Sequence, residues 1–302
     1  MLDILLGTYN GARFLKQQLD SIAAQTNADW RLITRDDGSE DSTKDIIKAF
    51  AALHADRVRV LDSSQGRLGV VKNYATLLAA SDAPYTMFCD QDDVWNKDKI
   101  QTTMSAMLTL ENTHGKHVPA LVHTDSSVID DAGNTCSSSF SKAFKLYPDD
   151  SSMQRLLVQN CVHGSTVLMN RSLVQIANPI PKEALMHDHW VACIARATGH
   201  IFYVDQPTMQ YRKHAKNVIG AVSVRQTIVD RLSGKRTPSP YPQAEALYQR
   251  IKDFPAAQQF SSLFRDFIST QKLPAVIRSC SHVRMGTLKE PWYKAVGQVL
   301  WL

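Results

Sequence analysis

The sequence predicts an α/β fold, and three observations carry that reading. Strand-like apolar runs alternate with helix-like stripes four times in the first hundred residues, the pattern of parallel strands joined by right-handed crossovers. The polar signatures Thr8-Tyr9-Asn10, Asp36-Asp37 and Asp90-Gln91-Asp92 each follow such a strand, at the sheet edge where open α/β sheets bind ligands. The chain has 302 residues, 44% hydrophobic and 21% charged, enough to bury a sizeable core.

The elements follow in order. Asp3 to Thr8 reads as a buried strand, Tyr9-Asn10-Gly11 as a turn, and Phe14, Leu15, Leu19, Ile22 and Ala23 as the apolar stripe of a helix. Trp30 to Thr34 is the second strand. Ser42 with Asp45 opens a helix whose inner face is Ile46, Ile47 and Phe50. Val58 to Leu61 is a short strand, Gly66 and Gly69 mark a loop, and Val70 to Ala80 a helix. Tyr85 to Phe88 then delivers Asp90-Gln91-Asp92-Asp93, with a helix over Ile100 to Leu110. Beyond it, Ala120 to His123 and Ser127 to Ile129 read as two strands, Ser137 to Ser141 as a polar loop and Met153 to Val158 as a helical piece. Val162 to Met169 reads as a loop entering a buried strand. His187-Asp188-His189-Trp190 opens an apolar helix through Ala197, and Ile201 to Val204 is a strand before Gln210-Tyr211-Arg212-Lys213-His214. Residues 233–240 form a breaker-rich basic linker. Ala244 to Phe254, Gln258 to Ile268 and Pro274 to Cys280 read as helices.

Composition bounds the function. Five scattered cysteines without C-x-x-C spacing argue for a reducing compartment, against a zinc site and against a disulfide framework. The first residues lack a basic leader, and no apolar run is long enough to span a bilayer, so a cytoplasmic protein is expected. Residues 211–302 carry 15 Lys and Arg against 5 Asp and Glu, so the tail is basic while the body is mildly acidic.

Three clusters carry candidate chemistry. Asp90, Asp92 and Asp93 lie within four residues, and carboxylates that close repel unless a cation or water screens them. In an extended segment Asp90 and Asp92 share a face and Gln91 points away. Such oxygen ligands suit Mg²⁺ or Mn²⁺ on a nucleotide's phosphates, and an acidic turn capping the next helix is the plainer reading. Asp37 can accept from a nucleobase or a ribose, or serve a solvated turn. Tyr9 can stack on a base or simply pack, and Lys72, in the first turn of a helix, can reach a diphosphate or stay solvated. Asp188 is either a helix N-terminal carboxylate or a general base. His214, a surface imidazole when taken alone, would complete a carboxylate–imidazole shell with Asp92. No G-x-G-x-x-G, phosphate loop or H-E-x-x-H is present, which argues against a dinucleotide oxidoreductase, a nucleotidyltransferase and a zinc enzyme.

Thr8-Tyr9-Asn10-Gly11, Asp36-Asp37-Gly38-Ser39, Asp90-Gln91-Asp92-Asp93-Val94-Trp95, His187-Asp188-His189-Trp190 and Tyr211-Arg212-Lys213-His214, in this order, resemble a family 2 glycosyltransferase. The resemblance covers about the first 220 residues and is nearest the bacterial rhamnosyltransferase-like branch. It implies a GT-A fold, a single mixed-sheet domain over residues 1–218, with 1–105 as the nucleotide-binding half and 106–218 as the acceptor half. Residues 219–302 would form a basic helical extension. It further implies inverting, metal-dependent transfer from a nucleotide-diphospho-sugar. Tyr9 and Asp37 would hold the base, with Asn10 in the same loop. Asp90 would hold the ribose, Asp92 and His214 the Mn²⁺ or Mg²⁺, and Asp188 would deprotonate the acceptor. Many relatives have Glu-Asp where His187-Asp188 stands, and Cys or Met where Ser165 stands. The expected donor is dTDP-L-rhamnose, with a UDP-hexose as the alternative. The expected acceptor is a glycan or lipid-linked glycan of a surface polysaccharide. No nucleic acid partner is expected. The basic tail is expected to contact the inner face of the cell membrane peripherally, or to be a solvated cap or subunit contact. A non-catalytic nucleotide-sugar-binding module is the alternative from another class.

Overall fold

A computed structural model describes residues 1–214 and 238–289. The boundary expected at 218/219 and most of the basic linker lie outside the described residues.

The first half is three βα units and a fourth strand. Strands β1 (Leu2–Thr8), β2 (Trp30–Asp36), β3 (Val58–Val60) and β4 (Tyr85–Cys89) are joined by helices α1 (Ala12–Ala23), α2 (Thr43–Leu53) and α3 (Val70–Ala80). All four strands run parallel, β1 lying between β2 and β4. Their side chains alternate between two cores. Leu5, Ile33 and Phe88 face one side with Leu77 and Leu78 of α3. Leu2, Ile4 and Leu6 face the other side with Leu15 and Ile22 of α1 and Ile47 of α2. Burial on both faces makes the strands read as continuous apolar runs rather than alternating ones.

The second half reverses direction. After β5 (Val94–Trp95) and α4 (Lys99–His114) come β6 (Ala120–Ile129), β7 (Thr135–Ser137), α5 (Phe140–Phe144) and α6 (Met153–Leu156). Then follow β8 (Leu168–Asn170), α7 (Arg171–Ala177), α8 (His187–Thr198) and β9 (His200–Arg212). Among the described residues the sheet order is β3-β2-β1-β4-β8-β6-β9-β5, with β7 on β6. β8 is antiparallel to both β4 and β6, while β9 is parallel to β6 and antiparallel to β5. The sheet is therefore mixed, as in a GT-A fold.

The two strands expected between Ala120 and Ile129 are one strand with register shifts around Asp125. The polar loop expected over residues 137–141 instead ends β7 and starts α5. Ser139 caps α5 by accepting from Lys142 N, and Asp125 accepts from the Ser139 and Ser141 hydroxyls. These bonds reach across sequence, so local composition does not show them. Helix α7, absent from the sequence reading, starts where the Asn170 side chain accepts from Leu173 N.

The C-terminal helices α9 (Tyr241–Ile251), α10 (Ser261–Ser269) and α11 (Ala275–Met285) follow. Leu247, Phe264 and Phe267 are fully buried and share one apolar cluster with Trp190 and Ile194 of α8. The acidic side chain of Asp3, fully buried at the start of β1, ties the far end of the sheet together. It accepts from Arg31 Nε at 2.8 Å, from Ser81 Oγ at 2.8 Å and from the backbone N–H groups of Asp82 and Ala83. Asp3→Ala leaves those donors without their acceptor and is expected to cost about 2–3 kcal/mol, read from urea denaturation midpoints.

Candidate active site

The site forms beyond the carboxyl ends of β1, β2 and β4, where the topology turns from parallel to antiparallel. The loop after β1 is held by Gln91, whose Oε1 accepts from Tyr9 N at 2.8 Å and whose Nε2 donates to Tyr9 O at 3.0 Å. A Cβ on Gly11 would sit 2.1 Å from that Oε1, so the clamp needs glycine there or a displaced Gln91. Asn10, at φ 47°, donates its N–H to Ser39 Oγ and accepts from Glu40 N through Oδ1. Its amide thus stitches the β1 and β2 loops together.

Asp36 and Asp37 divide the work of the β2 end. Asp36 accepts from Thr8, Ser39 and Gly38 and is structural. Asp37 accepts from Arg35 Nη1 and Leu68 N on Oδ1 and from Gly69 N on Oδ2. That leaves Oδ2 with a lone pair for a further donor. The exposed Arg67 places its guanidinium 4.2 Å from the Tyr9 ring centroid, so the aromatic face named for base stacking carries a cation. Lys72 lies exposed in the first turn of α3.

Strand β4 stops at Cys89, so residues 90–93 leave the extended geometry expected of them and each side chain takes its own direction. Asp90 accepts from Tyr74 Oη and from Ser165 Oγ, both at 2.7 Å. Asp92 Oδ2 lies 2.7 Å from His214 Nε2. The cause is the β5–β9 pairing, in which Val94 faces Gln210. Counting back along that antiparallel register brings Asp92 to the end of β9. Arg212 anchors the junction, donating its N–H to Asp93 Oδ1, Nε to Asp92 O and Nη2 to Gln17 Oε1.

Asp93 is fully buried, and its Oδ2 has no hydrogen-bond partner among the described residues. Burial, with the charges of Asp92 and Asp90, pushes its carboxyl well above the ordinary range. Ligand atoms of Asp90, Asp93 and His163 lie within 4.8 Å of one another. Two donor sets thus share one loop, Asp92 with His214 and Asp90 with Asp93 and His163. Both are carboxylate–imidazole sets that fit Mn²⁺ or Mg²⁺, and the orphaned Asp93 oxygen is the acceptor that a cation or proton would satisfy. His163 and Asp93 were not named from sequence as site residues. Asp93 stood inside the acidic run, but nothing local marks His163.

Asp188 stands in the first turn of α8. Its Oδ1 accepts from His189 N at 2.7 Å, and a Cβ on Gly164 would meet its Oδ2 at 3.1 Å. The Gly164–Ser165 turn therefore touches Asp188 on one side and Asp90 on the other. Burial first, and Asp90's charge further on, push the Asp188 carboxyl up to about 7, the value of a base poised near neutrality. His187 stacks on Tyr74 at 3.8 Å between ring centroids. His189 Nε2 lies 2.6 Å from Leu156 O. Burial pushes both imidazoles down to about 4, so they flank Asp188 as neutral groups.

Fold and site together give a GT-A architecture with a sheet edge of the nucleotide-binding type, a carboxylate–imidazole loop and a buried carboxylate beside them. Residues 3–131 match the profile of Glycosyl transferase family 2. The chain is 26% identical over 221 residues to the dTDP-rhamnosyl transferase RfbG of Shigella flexneri, covering 72% of this chain and 74% of that one. Among solved structures, it resembles S. aureus TarS 1-349 in complex with UDP-GlcNAc at a TM-score of 0.54 and 15% identity, covering 99% of this chain and 89% of that one. It also resembles the mannosyltransferase PcManGT from Pyrobaculum calidifontis in complex with GDP-Man and Mn²⁺, with TM-score 0.54, 16% identity and coverage of 99% and 87%. Residues 3–131 thus resemble family 2 glycosyltransferases, and the longer likeness is to a bacterial rhamnosyl transferase.

Two predictions follow from this geometry. Ser165→Ala removes one of the hydroxyls that orient Asp90, and nucleoside-diphosphate affinity measured by calorimetry falls about tenfold. Lys99, fully buried over Trp95, has its ammonium pushed down to about 7 by burial, from an ordinary 10.5. Between those values the unfolded chain holds the proton and the folded chain does not, so stability rises with pH across that window. Urea midpoints measured across it rise in the wild type, and Lys99→Met flattens the rise.

Proposed function

We propose that this chain is an inverting, metal-dependent transferase that moves L-rhamnose from dTDP-L-rhamnose onto a hydroxyl of a glycan or lipid-linked glycan. The observation that carries the reading is the Gly164–Ser165 turn, which holds the base candidate Asp188 beside the donor-side carboxylate Asp90. The choice of donor rests on the likeness to RfbG. A UDP-hexose is the second reading, favoured by the TarS complex with UDP-GlcNAc.

In this reading Tyr9 and Asp37 hold the base on a loop that Asn10 and Gln91 fix in place. Asp90, oriented by Tyr74 and Ser165, accepts from the ribose, and Lys72 reaches the diphosphate. Asp92 and His214 would hold Mn²⁺ or Mg²⁺, which when bound neutralises charge on the leaving diphosphate. Asp188 takes the proton of the acceptor hydroxyl as oxygen attacks the anomeric carbon from the side opposite the diphosphate. The bond to the acceptor forms as the bond to phosphate oxygen breaks, and the configuration inverts. Residues 1–218 make up the transferase domain, 1–105 serving the nucleotide and 106–218 the acceptor, and residues 219–302 are the basic extension. No helix among the described residues is long and apolar enough to cross a membrane, so contact with a lipid-linked acceptor would be peripheral, at the inner face of the cell membrane.

The test is turnover of a panel of nucleotide-sugars with Mn²⁺, in which dTDP-L-rhamnose is expected to lead. Chelation abolishes transfer and added Mn²⁺ or Mg²⁺ restores it; full activity in chelator ends the metal-dependent reading. Asp188→Asn lowers kcat by about a hundredfold to ten-thousandfold with the donor still bound. Because the base works only when deprotonated, wild-type kcat rises with pH up to about 7 and then levels off. A flat profile, or wild-type turnover in Asp188→Asn, removes Asp188 from the role.

A further inference from the structure

Helix α11 has one face committed to the protein and one face that nothing among the described residues covers. Inward, Ser279 and His282 are buried. His282 Nε2 lies 3.0 Å from Tyr241 Oη, and its Nδ1 lies 2.7 Å from Thr287 Oγ1. Outward, Val276 is 76% exposed, Ile277 53% and Val283 56%. Val276, the exposed Cys280 and Val283 fall at i, i+4 and i+7, one stripe along the helix. An aliphatic stripe of this kind is unfavourable in water and marks a surface that meets something apolar.

The charge around the stripe names the kind of partner. Of the bases beside it, Lys272 and Arg284 are exposed, and residues 267–289 hold no Asp or Glu. The sequence that follows, Glu290 to Leu302, holds a single acid, Glu290, against a single base, Lys294, and adds Trp292, Tyr293 and Trp301. A second copy would oppose this positive face with its own, which like charges disfavour. An anionic lipid surface matches it in both respects: acyl–headgroup boundary for the aliphatic stripe, anionic headgroups for the bases.

We propose that α11 docks this transferase on an anionic lipid surface, with Val276, Ile277 and Val283 entering the headgroup boundary and Lys272 and Arg284 pairing with headgroup charge. The proposal extends the reading of the acceptor as a lipid-linked glycan by naming the surface that would bring the enzyme to it. Vesicles without acceptor test the docking alone, so the two readings stand or fall separately.

The experiment is sedimentation of the full chain with vesicles of phosphatidylglycerol and phosphatidylcholine in equal parts, against phosphatidylcholine alone, at low and high salt. Wild-type partitioning onto the anionic vesicles is expected to exceed that onto neutral ones by about tenfold or more and to weaken with salt. The double variant Val276→Glu, Val283→Glu loses about tenfold in partitioning, and Arg284→Glu about fivefold. Both keep the wild-type melting temperature and donor turnover on a soluble acceptor, because these positions are exposed and remote in sequence from the site. Equal, salt-insensitive partitioning of wild type and variants overturns the proposal. So does a wild-type dimer in sedimentation velocity that the double variant dissolves, since the face would then belong to a second copy.

Discussion

Four residues after β4 concentrate more negative charge than water-free protein tolerates, and the site is arranged around that constraint. Carboxylates within about 5 Å repel by a few kcal/mol at an effective dielectric of about 20. The protein relieves this group by group. Asp90 receives two hydroxyls, from Tyr74 and Ser165. Asp92 receives the His214 imidazole, and Asp93 receives Arg212 N while burial drives it toward the protonated form. Arg212 supplies buried positive charge behind the loop. What is left unsatisfied is Asp93 Oδ2, an acceptor that a proton or a cation would satisfy.

The reversal in the sheet makes this arrangement possible. Parallel strands β1, β2 and β4 deliver the nucleotide-side loops to one edge. The antiparallel β5–β9 pair then folds the end of β9 back across the same edge, bringing His214 to Asp92 over a sequence separation of 122 residues. β8 and the turn before it do the same for Ser165, joining Asp90 to the start of α8. A purely parallel sheet would leave His214 and Asp188 on separate connections.

The parallel half was legible because its strands are buried on both faces and its helices carry simple stripes. The second half was less so. β6 carries polar residues through its middle, where the register shifts near Asp125 and serine hydroxyls satisfy that carboxylate. Asp92, His214 and Asp188 were readable through their setting in motifs. Tyr74, Ser165 and His163 were not, since each acts only through a partner supplied by tertiary folding. Tyr74 lies inside the helix read over Val70 to Ala80, and its hydroxyl donates to Asp90 at 2.7 Å. Asn10 joins the β1 and β2 loops through a contact that sequence does not show, its side-chain oxygen accepting from Glu40 N.

The most direct test of the central claim is which histidine nitrogen meets the cation. Electron spin-echo spectroscopy of Mn²⁺ with a bound nucleoside diphosphate, on protein labelled with nitrogen-15 histidine, reads that contact. The account predicts a histidine coupling that disappears in His214→Gln and survives in His163→Gln. A coupling that survives in His214→Gln, or none in the wild type, would contradict it.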